Sequence, residues 1–148
     1  MKNNKMSYGK LNDLNLDVFV GLNRVTQAIQ RRSNTILSAT GLTTTQFAVL
    51  EVLYHKGDLR ICEIIDKILA TSGNMTVVIN NLAKEHLIEK VSDPNDKRAT
   101  LIKITEKGRG EIEKIFPEHL LDLEEYFSTL TVEEKSQLKQ ILIKLGRK

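Results

Sequence analysis

The sequence predicts a mainly α-helical domain with one small β-hairpin, an α+β arrangement within a single domain spanning residues 1–148. Three observations support this prediction. Apolar residues recur every three or four positions along most of the chain, which is typical of amphipathic helices. The period falls to about two only between residues 87 and 104, which indicates strands. Threonines followed three residues later by Gln or Glu mark helix starts.

Composition restricts the class of protein. A length of 148 residues with 41% hydrophobic and 28% charged side chains fits one globular domain. A single cysteine excludes an internal disulfide, and no apolar run approaches the roughly 20 residues that cross a bilayer. The N-terminus has basic residues but no apolar segment of a secretory signal behind them. We therefore expect a cytoplasmic protein with no membrane partner.

The first half of the chain predicts four helices. An apolar stripe predicts the first over residues 11–39, and a capping box from Thr43 to Gln46 opens the second, which ends at Gly57. Residues 58–60 are too short to classify. A third helix covers residues 61–69, and Ser72 is predicted as the N-cap of a fourth that runs to about residue 85. Its inner face consists of Met75, Val78, Ile79 and Leu82.

The second half predicts a hairpin and two helices. Residues 87–91 and 100–104 alternate as strands do, and the charged, turn-rich residues 92–98 between them predict a protruding loop. Thr105 caps a long helix in which Pro117 should cause a kink or an interruption. A second capping box at Thr131 opens the last helix.

In chain order, two short helices joined by a tight turn and followed by a hairpin make a winged helix-turn-helix, over residues 43–104. The second of these helices fits the major groove of double-stranded DNA, and the hairpin can reach phosphates or the minor groove. The face opposite its apolar side carries side chains that can bond bases or phosphates. We expect DNA contacts at Ser72, Gly73, Asn74, Thr76, Val77, Asn80, Asn81 and Lys84.

Val77 and the wing refine this hypothesis. Contact with a thymine methyl group would explain a Val on the outer face, although single exposed apolar residues are common. Asp96 and Arg98 are two positions apart and point the same way, so we predict that the carboxylate holds the guanidinium for a narrow minor groove, with Lys97 adding charge. The alternative is a solvated ion pair worth under about 1 kcal/mol.

These motifs resemble those of the MarR family of transcriptional regulators over roughly residues 11–146. The resemblance includes Leu42-Thr43-x-x-Gln46, the helix-turn-helix over residues 60–85, Asp93-Pro94-x-Asp96-x-Arg98, and the run Leu101-Ile102-Lys103-Ile104-Thr105-Glu106-Lys107-Gly108. It implies a homodimer assembled through residues 11–39 and 106–146, which places two readers on a palindromic operator. It also implies control by an effector or by oxidation, and similarity over residues 67–76 to members that respond to quinones suggests a small phenolic or quinone-like effector.

Two positions depart from the family pattern. Family members often have Gly where this chain has His86, and His tolerates the left-handed conformation at some cost. Peroxide-sensing members resemble one another in carrying a reactive cysteine near the start of the first helix, where this chain has none. The one cysteine, Cys62, lies at the border of an apolar face, and we interpret it as a small apolar side chain rather than a sensor.

Other functions have little support. The three histidines lack metal-ligand spacing, and no phosphate loop, nucleophile elbow or catalytic triad is present, so we expect neither an enzyme nor a cofactor nor a metal. The net charge of +3 permits nucleic-acid binding, but most of the excess falls in residues 1–57, outside the reader. The leading hypothesis is a sequence-specific transcriptional regulator, most simply a repressor. The alternative is a winged-helix module that binds proteins.

Overall fold

The computed structural model describes residues 6–68, 72–94 and 96–146. This part of the chain contains six helices and a small antiparallel sheet with strand order β1-β3-β2. The predicted α+β class and winged helix-turn-helix are therefore confirmed. The elements are α1 Lys10–Ser38, α2 Thr44–Lys56, β1 Leu59–Arg60, α3 Ile61–Ile68, α4 Ser72–Lys84, β2 Ile88–Asp93, β3 Asp96–Ile104, α5 Glu106–Tyr126 and α6 Val132–Gly146.

The predicted helix caps are present. The Thr43 hydroxyl accepts a hydrogen bond from the backbone N–H of Gln46, whose side chain accepts one from the N–H of Thr43. Thr131 and Glu134 make the same reciprocal pair before α6. These bonds satisfy backbone N–H groups that a helix start leaves without partners. α4 is described from Ser72 onward, and because the residue before it lies outside the described part, the role of Ser72 as N-cap stays a prediction.

The hairpin is longer than predicted. Instead of forming a loop, residues 92, 93 and 96–98 continue the two strands, and the ladder ends at the pair Asp93↔Asp96 after a bulge between Ser92 and Asp93. The sequence did not predict strands here because these residues are charged, and apolar and polar residues alternate only where one face of a strand is buried. β1, which was too short to classify, pairs with β3 through Leu59↔Ile102 and Arg60↔Leu101.

Pro117 does not interrupt α5, which runs as one helix of 21 residues. The missing N–H removes one backbone hydrogen bond, and Ile112 and Ile115, buried in the core, hold the preceding turns in place.

The hydrophobic core lies between the helix-turn-helix and the sheet. Its fully buried members are Val49, Leu50, Leu53, Ile64, Met75, Ile79, Leu82, Ile102 and Ile112.

The outer helices have apolar faces that nothing in the described chain covers. The exposed residues are Leu11, Leu14, Leu16, Val18, Phe19, Val20, Leu22 and Val25 on α1, Leu120 and Leu121 on α5, and Ile141, Leu142, Ile143 and Leu145 on α6. Exposed apolar area of this extent is typical of an interface. Among the described residues, no helix is both long enough and apolar enough to cross a lipid bilayer.

Candidate nucleic-acid interface

Helix α4 has one face in the core and the other in solvent. Met75, Val78, Ile79 and Leu82 are buried, as their helical spacing predicts. Buried contacts on one side fix the rotation of the helix about its axis, so the opposite residues are presented outward in a defined order. The exposed residues include every one predicted for this face whose side chain is described: Asn74, Thr76, Val77, Asn80, Asn81 and Lys84.

Val77 is the apolar member of this outer face, and 54% of its surface is exposed. Apolar surface that stays in contact with water does not stabilise the folded chain. An exposed Val at this position agrees with the prediction that it contacts a partner. Ser72 and Gly73 are the first two residues of α4, and their side chains lie outside the described part, as does the side chain of Lys97 in β3.

Lys90 is a residue of this face that the sequence did not reveal. It lies on β2, and its Nζ donates a hydrogen bond of 2.7 Å to Oδ1 of Asn80. Because an ammonium group can only donate, the Asn80 amide must turn its oxygen toward Lys90 and its NH₂ group away. The pair adds a cation to the face and fixes the orientation of one of its amides. An alternating strand gives no indication of such a contact with the preceding helix.

Arg98 is exposed on the wing. The predicted contact between Asp96 and the guanidinium of Arg98 is wrong, because Asp96 contacts the backbone of Arg98 instead. Oδ1 of Asp96 accepts a hydrogen bond of 3.1 Å from the backbone N–H of Arg98, not from its guanidinium. In the described part of the chain, no ion pair of Arg98 is found. Asp96 therefore shapes the backbone under Arg98, and its other oxygen faces a different arginine, since Oδ2 lies 3.8 Å from Nη2 of Arg60.

Arg60 is the second residue that the sequence did not reveal. Its Nε and Nη2 donate hydrogen bonds of 3.1 and 2.6 Å to Oδ2 of Asp93, which is 6% exposed. The hydrogen bond to Asp93 raises the pKa of Arg60, burial opposes this rise, and the negative charges of Asp93, Asp96 and Glu63 add to it. A two-residue strand has no periodicity, so nothing in the sequence connected Arg60 with the wing.

A tight corner joins α4, the wing and α5. His86 ends the turn after α4 with φ of 58°, the left-handed conformation expected where relatives often have Gly. The Thr105 hydroxyl donates to the carbonyl oxygen of His86 and accepts from the N–H of Gly108, and the N–H of Thr105 donates to the carbonyl oxygen of Leu87. The base of the hairpin is therefore bonded to the first turn of α5.

The remaining candidate groups do not form a reactive site in the described residues. Cys62 is exposed on α3, and its interpretation as a small apolar side chain rather than a sensor stays a prediction. The apolar side of α3 buries Ile64 instead, and a helix this short leaves Cys62 on its outer side. No group of His, Cys, Asp or Glu within the described ranges could hold a metal ion.

Comparisons with known proteins agree with this geometry. A family model described as "Transcriptional regulator SarA/Rot" matches residues 31–115. The HTH-type transcriptional regulator MhqR of Bacillus subtilis (strain 168) is 38% identical over 136 residues, which cover 92% of this chain and 94% of MhqR. The HTH-type transcriptional repressor MdtR of the same strain is 26% identical over 131 residues, which cover 88% of this chain and 84% of MdtR.

A solved structure is also similar. It is a mutant of MarR from E. coli complexed with operator DNA, and it matches with a TM-score of 0.79 and 26% identity over 93% of this chain and 99% of that chain. The relatives and the fold are those of transcriptional regulators and not of enzymes. They do not favour a module that binds only proteins.

Proposed function

This chain belongs to the MarR family of winged helix-turn-helix transcriptional regulators, which bind DNA, and we propose that it is a homodimeric repressor of a palindromic operator. The observation that carries the proposal is the exposed polar face of α4 beside a wing that presents Arg98. Two comparisons support it, because MdtR is a repressor and the similar MarR structure contains operator DNA.

In the proposed complex, α4 enters the major groove and the wing follows the adjacent minor groove. The start of α4 at Ser72 and Gly73 approaches phosphates, since a helix N-terminus attracts anions. Val77 contacts a thymine methyl group, and Arg98 enters the minor groove, which attracts arginine where it is narrow. The other contacts are made by Asn74, Thr76, Asn80, Asn81 and Lys84. On the wing, Lys97 lies next to Arg98 in β3, and Asp96 holds the backbone of Arg98.

Binding-site selection from random duplex DNA tests the function directly. A palindrome whose half-sites lie about one DNA turn apart, roughly 34–36 Å, is the expected result. Affinity for the selected duplex should fall steeply as salt rises, because bound cations displace counterions from phosphates. Selection that enriches no palindrome would overturn the proposal and favour the protein-binding alternative.

Arg98→Ala tests the wing. Loss of a minor-groove arginine should lower affinity for the selected duplex by about 10- to 100-fold, in the range of one specific base contact. Lys10→Ala is the matched control, because it also removes one exposed cation but lies at the start of α1, outside the lobe of residues 43–104 and outside the proposed dimer segments 11–39 and 106–146. Equal affinity of the two variants at moderate salt would show that the wing does not contact DNA.

The dimer is proposed from the uncovered apolar faces of α1, α5 and α6. Residues 11–39 and 106–146 of two chains would pack together and bury these faces, and a two-fold assembly matches a palindromic operator. Ile141→Glu places a charge on a side chain that is 55% exposed in the single chain, so it should dissociate the dimer without unfolding the subunit. Sedimentation velocity measures this, with Gln140→Glu as control; a dimeric Ile141→Glu variant contradicts the interface.

A small phenolic or quinone-like effector is proposed to release the DNA. A cavity of about 580 Å³ lies between the turn that follows α1 and helices α2, α4 and α5, and Gln46, Lys84 and Lys107 are among the residues that line it. Because Lys84 also lies on the outer face of α4, a ligand here would act on a DNA-binding residue. Hydroquinone should release the selected duplex from the wild-type chain and have less effect on Gln46→Ala. An unchanged response of that variant would exclude this cavity.

A further inference from the structure

Arg60 contacts three carboxylates, two from the strands of the wing through its guanidinium and one from α3 through its backbone N–H. Two of its nitrogens donate to Oδ2 of Asp93, and its Nη2 also lies 3.8 Å from Oδ2 of Asp96. Its backbone N–H donates a hydrogen bond of 2.8 Å to Oε2 of Glu63. One residue of β1 therefore connects the end of β2, the start of β3 and the first turn of α3.

The positions of Asp93 and Asp96 in the sheet explain why their contact with Arg60 matters. Asp93 and Asp96 are the last and first residues of the two wing strands and face each other across the tip of the hairpin. Two carboxylates so close together repel each other, and both would repel a DNA phosphate. Arg60 places a positive charge between them and holds the Asp93 carboxylate where only 6% of the residue is exposed. The tip is thereby fixed to the helix-turn-helix.

The same set of contacts continues to the proposed DNA-binding arginine. Asp96 faces Arg60 through Oδ2 and accepts the backbone N–H of Arg98 through Oδ1. The backbone from which the Arg98 side chain leaves the wing is therefore bonded to a carboxylate that Arg60 attracts. An isolated two-stranded hairpin would have no such restraint and is marginally stable at best in water.

We propose that Arg60 is a positioning residue for DNA binding, which fixes the wing tip against the helix-turn-helix and so sets the place from which Arg98 reaches the duplex. The role rests on the proposed function, because it requires that Arg98 contact DNA. Arg60 acts through the wing in this arrangement, since its Nε and Nη2 are directed at Asp93 and Asp96. Holding the wing in place before binding reduces the ordering cost of association.

A double-mutant cycle with Arg60→Met and Arg98→Ala tests this role. The probe is a fluorescein-labelled duplex that contains the palindrome selected by the wild-type chain, and anisotropy at several salt concentrations gives affinity and salt slope. Arg60→Met alone should weaken binding about fivefold or more and lower the salt slope as Arg98→Ala does. In the Arg98→Ala background, Arg60→Met should change affinity by less than about twofold, because residues that act together are not additive.

The outcomes separate this role from the proposed function and from simple loss of folding. If Arg98→Ala alone leaves affinity unchanged, the wing contact and the positioning role both fail. If Arg98→Ala weakens binding but the two effects multiply, only the positioning role is overturned. If Arg60→Met does not fold, Arg60→Lys and Asp93→Asn replace it in the same cycle. Unfolded variants lose binding whatever residue stands at position 98, whereas a displaced wing does not, and circular dichroism distinguishes the two cases.

Discussion

Gly108→Ala should destabilise the chain strongly, although alanine normally favours a helix. A Cβ atom at Gly108 would lie 2.1 Å from the carbonyl oxygen of Leu87 and 2.8 Å from Cγ1 of Ile104. Ordinary contact needs a separation of about 3.5 Å, so the first turn of α5 must move by roughly 1 Å or more. Because the nearest atom belongs to the backbone, no side-chain rotation can relieve the clash.

The expected magnitude follows from the bonds in that corner. Displacing α5 stretches the bond from Thr105 to Leu87 and the Thr105 cap of Gly108, worth about 1 kcal/mol each, and overpacking adds about 1–3 kcal/mol. Alanine returns about 1 kcal/mol of helix propensity. The net loss in free energy of unfolding is about 2–4 kcal/mol.

Urea denaturation followed by circular dichroism measures this loss, with both variants at one protein concentration because a dimer's stability depends on it. Gly110→Ala is the matched control, since it lies in the same helix and its Cβ would meet nothing within 4 Å. It should stabilise the chain by about 0.5–1 kcal/mol. A Gly108→Ala midpoint equal to or above that of Gly110→Ala would refute the close contact between the wing and α5.

Three further predictions concern local structure. His86→Gly should raise the thermal midpoint by relieving the left-handed strain, about 0.5–1 kcal/mol after the entropy of glycine is subtracted; an unchanged or lower midpoint contradicts this. Thr43→Ala should cost about 1 kcal/mol of unfolding free energy in urea, and no loss means the cap contributes nothing. A hydrogen bond to Glu113 raises the pKa of Tyr54 in the folded chain. The bond therefore stabilises the fold fully below the pKa that Tyr54 has in the unfolded chain, and this stabilisation is lost as pH rises through the pKa of Tyr54 in the folded chain. Absorbance titration should show this pKa fall in Glu113→Gln.

Helix α4 shows what the sequence can determine. Spacing of Met75, Ile79 and Leu82 assigned its buried face, and the outward residues followed from it, because a helix fixes both faces by local geometry. The left-handed conformation of His86 was also expected, from the resemblance to family members that often have Gly there. Such features depend on neighbours within a few residues, and those neighbours are visible in the sequence.

Arg60 and Asp93 show where the sequence was insufficient. The two are 33 residues apart, and their contact exists only because β1 pairs with β3 and places one beside the other. Two residues of strand carry no periodic signal, and charged strand ends look like a loop. The Asp96 carboxylate was predicted to face the guanidinium of Arg98 instead of that of Arg60 for the same reason, since its spacing from Arg98 was visible and its distance from Arg60 was not.

The internal contacts also explain how a lobe of almost balanced charge can bind DNA. Acidic side chains of the wing pair within the chain, since Asp93 and Asp96 face Arg60 and Glu89 lies 3.5 Å from Lys103. The field that a duplex meets depends on charges that remain exposed, not on the total. In these pairs a neighbouring cation offsets each acid, and Asp93 is also buried, while Arg98 remains exposed at the wing with no ion pair among the described residues. The arrangement of its charges therefore gives the lobe its attraction for DNA, and the net charge of +3 does not measure it.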